Sequence, residues 1–233
     1  SYQTAYLKYY YPVEFMAALM TSVVEMPNKV AEYISVCRQM GIGILPPDIN
    51  RGTYGFSVDY GSIRYALSAI KSIGRPVIEA IVREREEHGE YNSFKNFIER
   101  NIGQINKRVV ENLIKAGAVD CLEGNRHQKM TVYSRILDSV NQDKKHTMAG
   151  QLSLFDIVSE EDKKEFEIRM PVLAEYPADV ILGFEKDVLG IYLSGHPLEE
   201  YQNMMGKIIS SRTSDFQPDE ETGRPRVVDG QKV

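Results

Sequence analysis

The stretch that decides the fold runs from residue 66 to residue 82 and reads ALSAIKSIGRPVIEAIV. Apolar residues recur at helical spacing on both sides of Gly74, which is expected to take a positive-φ turn. Pro76 suits the first turn of a following helix. Two helices joined this tightly leave backbone N–H groups free where the second helix begins. Those amides, beside Lys71 and Arg75, form a potential site for a phosphate oxygen.

A second stretch, residues 106–120, reads NKRVVENLIKAGAVD and repeats the pattern approximately, with Gly117 in the turn. Lys107 and Arg108 stand where a helix should begin, although the helix dipole disfavours positive charge there. That placement favours a phosphate partner. The two stretches together predict tandem helix-hairpin-helix units that hold a nucleic-acid backbone and read no bases. An ordinary helical turn that ends at a glycine is the alternative for the first stretch. The second stretch has only Gly117 in its turn, and its alternative is a packing copy of the first.

The predicted fold is mostly α: a tandem helix-hairpin-helix bundle with flanking helices and minor short β-strands. The tyrosine-rich residues 1–24 indicate two buried helical pieces separated by a proline. Residues 56–58 and 63–65 alternate in polarity around a turn and predict a small hairpin. Ser93 is a plausible N-cap for a helix that joins the two units. A longer helix is expected from about residue 125 to residue 140.

Charge is distributed unevenly along the 233 residues, which carry 28 Lys and Arg against 33 Asp and Glu, a net charge of −5. Between residues 61 and 135 the balance reverses, to 13 basic against 9 acidic residues. The hairpin region is therefore the basic part of an acidic protein, as a local phosphate-binding surface requires.

Cysteine and histidine usage predicts neither disulfides nor a metal site. The two cysteines are far apart at apolar helical positions, which favours a reducing, cytoplasmic compartment. The four histidines lack ligand spacing; they are His88, His127, His146 and His196. The longest apolar run, residues 15–24, is too short to cross a bilayer, so no membrane partner is expected.

Several colinear stretches together resemble one family, the alpha subunit of bacterial DNA polymerase III, the replicative polymerase. The resemblance covers nearly the whole chain. The stretches are TAYLK at 4–8, YPVEFMAAL at 11–19, LPPDIN at 45–50, AIK at 69–71, NKR at 106–108, LIKAGA at 113–118 and LGIYLSGHPL at 189–198.

The resemblance implies that the chain is an internal fragment of such a polymerase, in five parts. They are the end of the fingers domain (1–58), a tandem helix-hairpin-helix DNA-binding domain (59–141), a linker (142–158), a connecting helical segment (159–210) and the entry to an oligonucleotide-binding barrel (211–233).

The same resemblance implies a role in DNA replication, by a DNA-directed DNA polymerase that is a nucleotidyltransferase. The family's catalytic aspartates, and the Mg²⁺ expected with them, belong to a palm domain without counterpart here, so no catalytic residue or cofactor is assigned. The implied partners are double-stranded primer-template DNA, the sliding clamp and other replisome subunits. A stand-alone helix-hairpin-helix adaptor, or an accessory domain of a nuclease or ligase, is the alternative.

The first hairpin departs from the family, whose members usually carry Gly-hydrophobic-Gly where this chain has Ser72, Ile73 and Gly74. Serine accepts a positive φ less readily than glycine, but its hydroxyl can bind a phosphate. The predicted DNA-binding residues are Lys71, Ser72, Ile73, Gly74, Arg75, Lys107, Arg108 and Gly117.

A second predicted site resembles the pentapeptide by which polymerases bind a sliding clamp: Gln151, Leu152, Ser153, Leu154 and Phe155. A polar run, 141–147, precedes it and looks like an exposed linker; an acidic run follows. An extended peptide of this kind can insert its leucines and phenylalanine into an apolar groove while the glutamine hydrogen-bonds at the rim. The alternative is a short amphipathic piece that folds back on the protein.

Overall fold

The structure is a computed structural model that describes residues 2–148, 169–195, 197, 198 and 216. The chain divides into two compact units, Ser1–Ser194 and Gly195–Val233. Nearly all the described residues belong to the first unit, which contains eight α-helices within the described ranges and one small sheet. The predicted mostly α fold is confirmed.

Three helices begin the chain: α1 (Tyr2–Tyr10), α2 (Pro12–Ser22) and α3 (Pro27–Gln39). Helices α2 and α3 each begin at a proline, whose fixed φ suits a first helical turn. Of these three helices, only α2 and α3 bury residues, and every side chain of α1 is exposed. The prediction of two buried pieces in residues 1–24 is therefore wrong for the first. Its four tyrosines, Tyr2, Tyr6, Tyr9 and Tyr10, share one face of the helix, but that face is exposed in the structure.

The sheet has three short strands, β1 (Ile44–Leu45), β2 (Ser57–Asp59) and β3 (Ser62–Arg64), in the order β1-β3-β2. Strand β1 pairs parallel with β3, and β2 pairs antiparallel with it. A two-residue turn joins β2 to β3, so the predicted hairpin is confirmed.

The helical bundle begins with a single 3₁₀ turn and continues with five helices that share one core. The 3₁₀ turn is Leu67–Ala69, and the helices are α4 (Arg75–His88), α5 (Phe94–Asn101), α6 (Lys107–Lys115), α7 (Arg126–Met148) and α8 (Ala178–Leu189). Ser93 caps α5, as predicted, by accepting a hydrogen bond from the amide of Asn96 at 3.0 Å. The apolar faces of α5, α6 and α7 are buried together.

Helix α7 is longer than the sequence pattern predicts. The apolar period ends near residue 140, but the helix runs to Met148, so the polar residues 141–147, predicted to be an exposed linker, are helical. The reason is that no glycine or proline interrupts the chain between residue 126 and Gly150. Lys144 in this extension donates to the carbonyl of Ile102 at 3.2 Å.

Candidate nucleic-acid interface

The first hairpin turns at a different residue from the one predicted. Ser72 has the positive φ, 65°, whereas Gly74 has φ −74° and ψ 153° and is the N-cap of α4. The expectation that Gly74 makes the positive-φ turn is therefore wrong. A left-handed conformation costs a non-glycine residue about 1–2 kcal/mol, so the surrounding contacts must hold Ser72 in place.

Free amides surround this turn. Among the described residues, the backbone N–H groups of Ser72, Ile73, Gly74 and Arg75 have no hydrogen-bond acceptor. Successive unpaired N–H groups at a left-handed residue and a helix start form a concave site for an anion. The hairpin therefore has the donors that one phosphate group requires, as the sequence suggested.

The hairpin lies against α6 and α8. The side chain of Asn112 on α6 donates to the carbonyl of Lys71 at 2.7 Å, and the amide of Lys71 donates to the carbonyl of Val188 at 2.9 Å. These two bonds fix the turn on its N-terminal side. Asn112 is not among the predicted site residues, although its spacing from Arg108 and Lys115 places it on the polar face of the predicted helix.

The contact between hairpin and α6 creates an open groove of about 510 Å³. It brings together four predicted DNA-binding residues that are up to 37 positions apart in sequence. The lining residues are Lys71, Ser72, Lys107, Arg108, Glu111, Asn112, Lys115, Asp187 and Val188.

The start of α6 forms a second set of donors in the same groove. Asn106 caps the helix by accepting from the amide of Val109 at 3.0 Å, and its carbonyl accepts from Val110 at 3.1 Å. This leaves the amides of Lys107 and Arg108 without an acceptor in the described part of the chain. Both side chains are exposed.

Four cationic side chains and two carboxylates line the groove. Lys71 donates to the carbonyl of Asp187 at 2.6 Å, and Lys115 pairs with Glu111 at 2.8 Å. Lys107 pairs with Asp138 at 2.8 Å, and both side chains are more than half exposed. Exposed pairs of this kind contribute little free energy, so a phosphate can compete for the cations. Within the described ranges, Arg108 makes no ion pair.

Three of the other predicted residues do not line the groove. Arg75 pairs with Glu79 at 2.7 Å and lies over the ring of Tyr54, 4.9 Å from its centroid. Ile73 is buried in the core, and Gly74 is exposed beside it.

The second hairpin differs from the first, because the first amides of the helix that follows it already have an acceptor. Gly117 has φ 77° and is buried so tightly that an added Cβ would lie 2.2 Å from a guanidinium nitrogen of Arg126. The first amides of α7, those of Arg126 and His127, donate to the carboxylate of Glu175 at 2.9 and 3.2 Å. Partial burial raises the pKa of Glu175, but N–H groups of Arg126, Tyr176 and His127 outweigh it and lower the pKa.

One group of possible metal ligands occurs in the described part of the chain: Glu84, Glu87 and His88 on α4. Glu84 already pairs with Arg100 and with His88, each at 3.1 Å. The group lies near the end of α4, with Glu84 partly buried and the other two residues exposed. The predicted clamp peptide, residues 151–155, and His196 lie outside the described residues.

Residues 41–129, which include the first hairpin and α6, match the family described as a helix-hairpin-helix motif. Within the described ranges, no helix combines the length and the apolar character that crossing a membrane requires.

The sequence relatives are DNA polymerase III alpha subunits. The chain is 39% identical to that of Borreliella burgdorferi over 211 residues, 90% of its length. It is 38% identical to that of Vibrio cholerae over 220 residues and 37% identical to that of Escherichia coli over 223 residues, 94% of its length in both cases. The chain is thus related almost throughout to a segment of the DNA polymerase III alpha subunit, and it spans 18–19% of these three proteins.

Proposed function

We propose that the groove between the first hairpin and α6 binds the phosphate backbone of duplex DNA. The observation that carries this proposal is that one groove brings together the unpaired amides of Ser72, Lys107 and Arg108 and four cationic side chains. Amides at a helix start and flexible cations are the groups that proteins direct at phosphate oxygens.

The same donors imply binding without base sequence preference. Bases are read by planar side chains that reach into a groove of the duplex, whereas the amides of the hairpin are fixed in the backbone. Lysine acts at phosphates as a point charge. The groove therefore positions a duplex and leaves the sequence unread.

In the full-length protein, this grip would serve template-directed DNA synthesis. The relatives support that role, because they are named as DNA polymerase III alpha subunits. They are about five times longer than the chain. Nucleotidyl transfer, with its Mg²⁺, would take place in another part of such a subunit. The hairpin segment would hold primer-template duplex beside it, within a replisome.

Salt dependence tests the proposal on the 233-residue chain. Fluorescence anisotropy with a blunt duplex should show weak binding, with a log–log slope of affinity against salt of about −2 to −4, because a few phosphates are neutralised. Duplexes of different sequence should bind alike. A slope near zero, or a strong preference for one sequence, would contradict a backbone grip.

The clamp peptide is the second part of the proposed function. Its support is the pattern of Gln151, Leu152, Ser153, Leu154 and Phe155, which begins three residues after the end of α7. Each large apolar side chain gains about 1.5–3 kcal/mol on burial, but ordering the peptide offsets much of that. We expect an isolated contact of micromolar class, about −8 kcal/mol. Beside a DNA grip, it would keep the polymerase on DNA through effective concentration.

Leu154→Ala with Phe155→Ala should abolish binding of the chain to its cognate sliding clamp in calorimetry. The reason is that both apolar anchors are removed from the proposed groove of the clamp. A matched control is Tyr2→Ala with Tyr9→Ala, which changes two exposed side chains on α1, outside the peptide, and should leave clamp binding intact. Equal clamp binding by the Leu154/Phe155 variant and the wild type would remove the peptide from the proposal.

A further inference from the structure

The turn between β2 and β3 contains an unusual residue. Tyr60 has φ 49° and Gly61 has φ 77°, and the flanking residues Asp59 and Ser62 pair across the strands. A two-residue turn with positive φ at both positions favours asparagine, aspartate or glycine at its first position. The conformational preference of the turn therefore does not explain a tyrosine at this position.

Burial does not explain Tyr60 either, because it is 88% exposed. One face of its ring is covered by the guanidinium of Arg51, which lies 5.0 Å from the ring centroid. A guanidinium nitrogen of Arg51 also donates to the phenolic oxygen at 3.4 Å. These contacts favour one orientation of the ring, and most of the ring surface stays open to solvent.

Arg51 is itself held in position. It donates to Asp59 at 3.2 Å, and Asp59 also accepts from the nearly buried Arg64, at 3.0 Å from its Nε. Arg64 donates in addition to the carbonyl of Pro46 at 3.0 Å. This chain of contacts connects Arg51 and the exposed ring to the small sheet.

The loop that carries Arg51 also contacts the segment just before the first hairpin and the start of α4. Four residues after Arg51 the loop reaches Gly55, and between them Tyr54 lies under the guanidinium of Arg75 at the start of α4. The carbonyls of Thr53 and Tyr54 accept from the amides of Leu67 and Ser68, just before the hairpin; these bonds are 3.1 and 3.2 Å long. A nucleic acid held at the hairpin thus has this aromatic surface on the same framework.

We propose that the open face of Tyr60, backed by Arg51, stacks on an unpaired nucleobase, so that the chain also binds single-stranded DNA. Every base has a π-face, so aromatic stacking binds single strands with little sequence preference. Arg51 and Arg64 are balanced by Asp59 and Asp48, which lies 3.9 Å from Arg64. Stacking, rather than attraction of phosphate, is therefore what this site provides. The proposal rests on the proposed function only in taking DNA as the ligand.

Tyr60→Asn separates binding from stability. Asparagine suits the first position of this turn, so the Tm should rise, by about 2 °C. The affinity for an oligothymidylate should nevertheless fall about five- to tenfold, because the stacking face is gone. Blunt-duplex affinity should not change. Unchanged affinity for the oligothymidylate would overturn the proposal.

Tyr60→Trp reports the contact directly, because the chain contains no tryptophan. Stacking on thymine should quench its fluorescence in a saturable titration with oligothymidylate, and a blunt duplex should not. Absence of quenching would overturn the proposal. Quenching by the single strand together with no duplex binding would support this site while contradicting the phosphate groove, so the two failures are distinguishable.

Tyr2→Asn is the matched control, since Tyr2 is 85% exposed on α1 and its backbone is helical. It should bind oligothymidylate as the wild type does. An equal loss of affinity in the Tyr2 and Tyr60 variants would show nonspecific contact with exposed tyrosines and would overturn the assignment to the hairpin tip.

Discussion

Lys107→Glu with Arg108→Glu is expected to lower the affinity of the chain for duplex DNA about 100-fold at 50 mM salt. Removing one cation from a phosphate reduces the log–log salt slope by about 0.9, so the double variant should have a slope shallower by nearly 2. Extrapolated from 1 M to 50 mM salt, that difference amounts to about two orders of magnitude. Anisotropy titrations at several salt concentrations measure both quantities.

Loss of folding should not explain this result. Both side chains are exposed at the start of α6, where the helix dipole favours glutamate over lysine or arginine. The ion pair between Lys107 and Asp138 is more than half exposed, so its loss costs little. Circular dichroism should therefore show the helix content and Tm of the wild type.

The control is Lys29→Glu with Lys95→Glu, which makes the same change in net charge on other helices. Lys29 and Lys95 are about half exposed and pair only with neighbours on their own helix, Glu32 and Glu99. This variant should lose less than about threefold in duplex affinity, through long-range repulsion alone. A loss as large as that of the groove variant would mean that net charge, and not the groove, determines binding.

Local signals predict most of the fold because they act within a few residues. Helix periodicity, the capping residue Ser93 and the turn before β3 each depend on neighbours in sequence. The extension of α7 escapes such signals because its last turns are polar all round, and a polar run without glycine or proline can be either helix or linker. Local signals also do not predict the exposure of α1, because tyrosine side chains can lie either in a core or at the surface.

The site is only partly predictable, for a different reason. Lys71 and Arg108 are each identifiable from their local settings, but their shared groove depends on the bond from Asn112 to the hairpin. The position of the positive φ depends on how α6 and α8 hold Lys71, and no local rule selects Ser72 over Gly74. Tertiary contacts set both features.

The two hairpins differ for the same tertiary reason. The sequence makes the second hairpin the weaker match, with a packing copy as the alternative to a phosphate site. In the structure, the carboxylate of Glu175, nearly fifty residues away, accepts from the amides of Arg126 and His127. Glu175 lies outside both repeated stretches, 66–82 and 106–120. A comparison of the two stretches therefore does not reveal it. Within the described residues, the tight packing of Gly117 against Arg126 gives the second hairpin a structural role.

Arg126→Met should lower the free energy of unfolding by about 3–5 kcal/mol, the largest stability effect expected for one side chain here. Arg126 is nearly buried at the start of α7. It donates to Asp120 at 2.9 Å, and one of its nitrogens lies 3.7 Å from the carboxylate of Glu185, which is 2% exposed. Without the guanidinium, that carboxylate is left buried without its counter-ion. Urea unfolding followed by circular dichroism measures the change.

A double variant shows whether the unpaired charge is the cause. Glu185→Gln can still accept from the amide of Leu193 or Ser194, which Glu185 binds at 2.8 and 2.9 Å, and it carries no charge. Arg126→Met with Glu185→Gln should therefore be more stable than Arg126→Met alone, with a free energy of unfolding higher by about 1–2 kcal/mol. Lys95→Met, at an exposed pair, should cost less than about 0.5 kcal/mol. If Arg126→Met cost no more than Lys95→Met, water would be screening the pair, and the connection between α7 and α8 would depend on apolar packing instead.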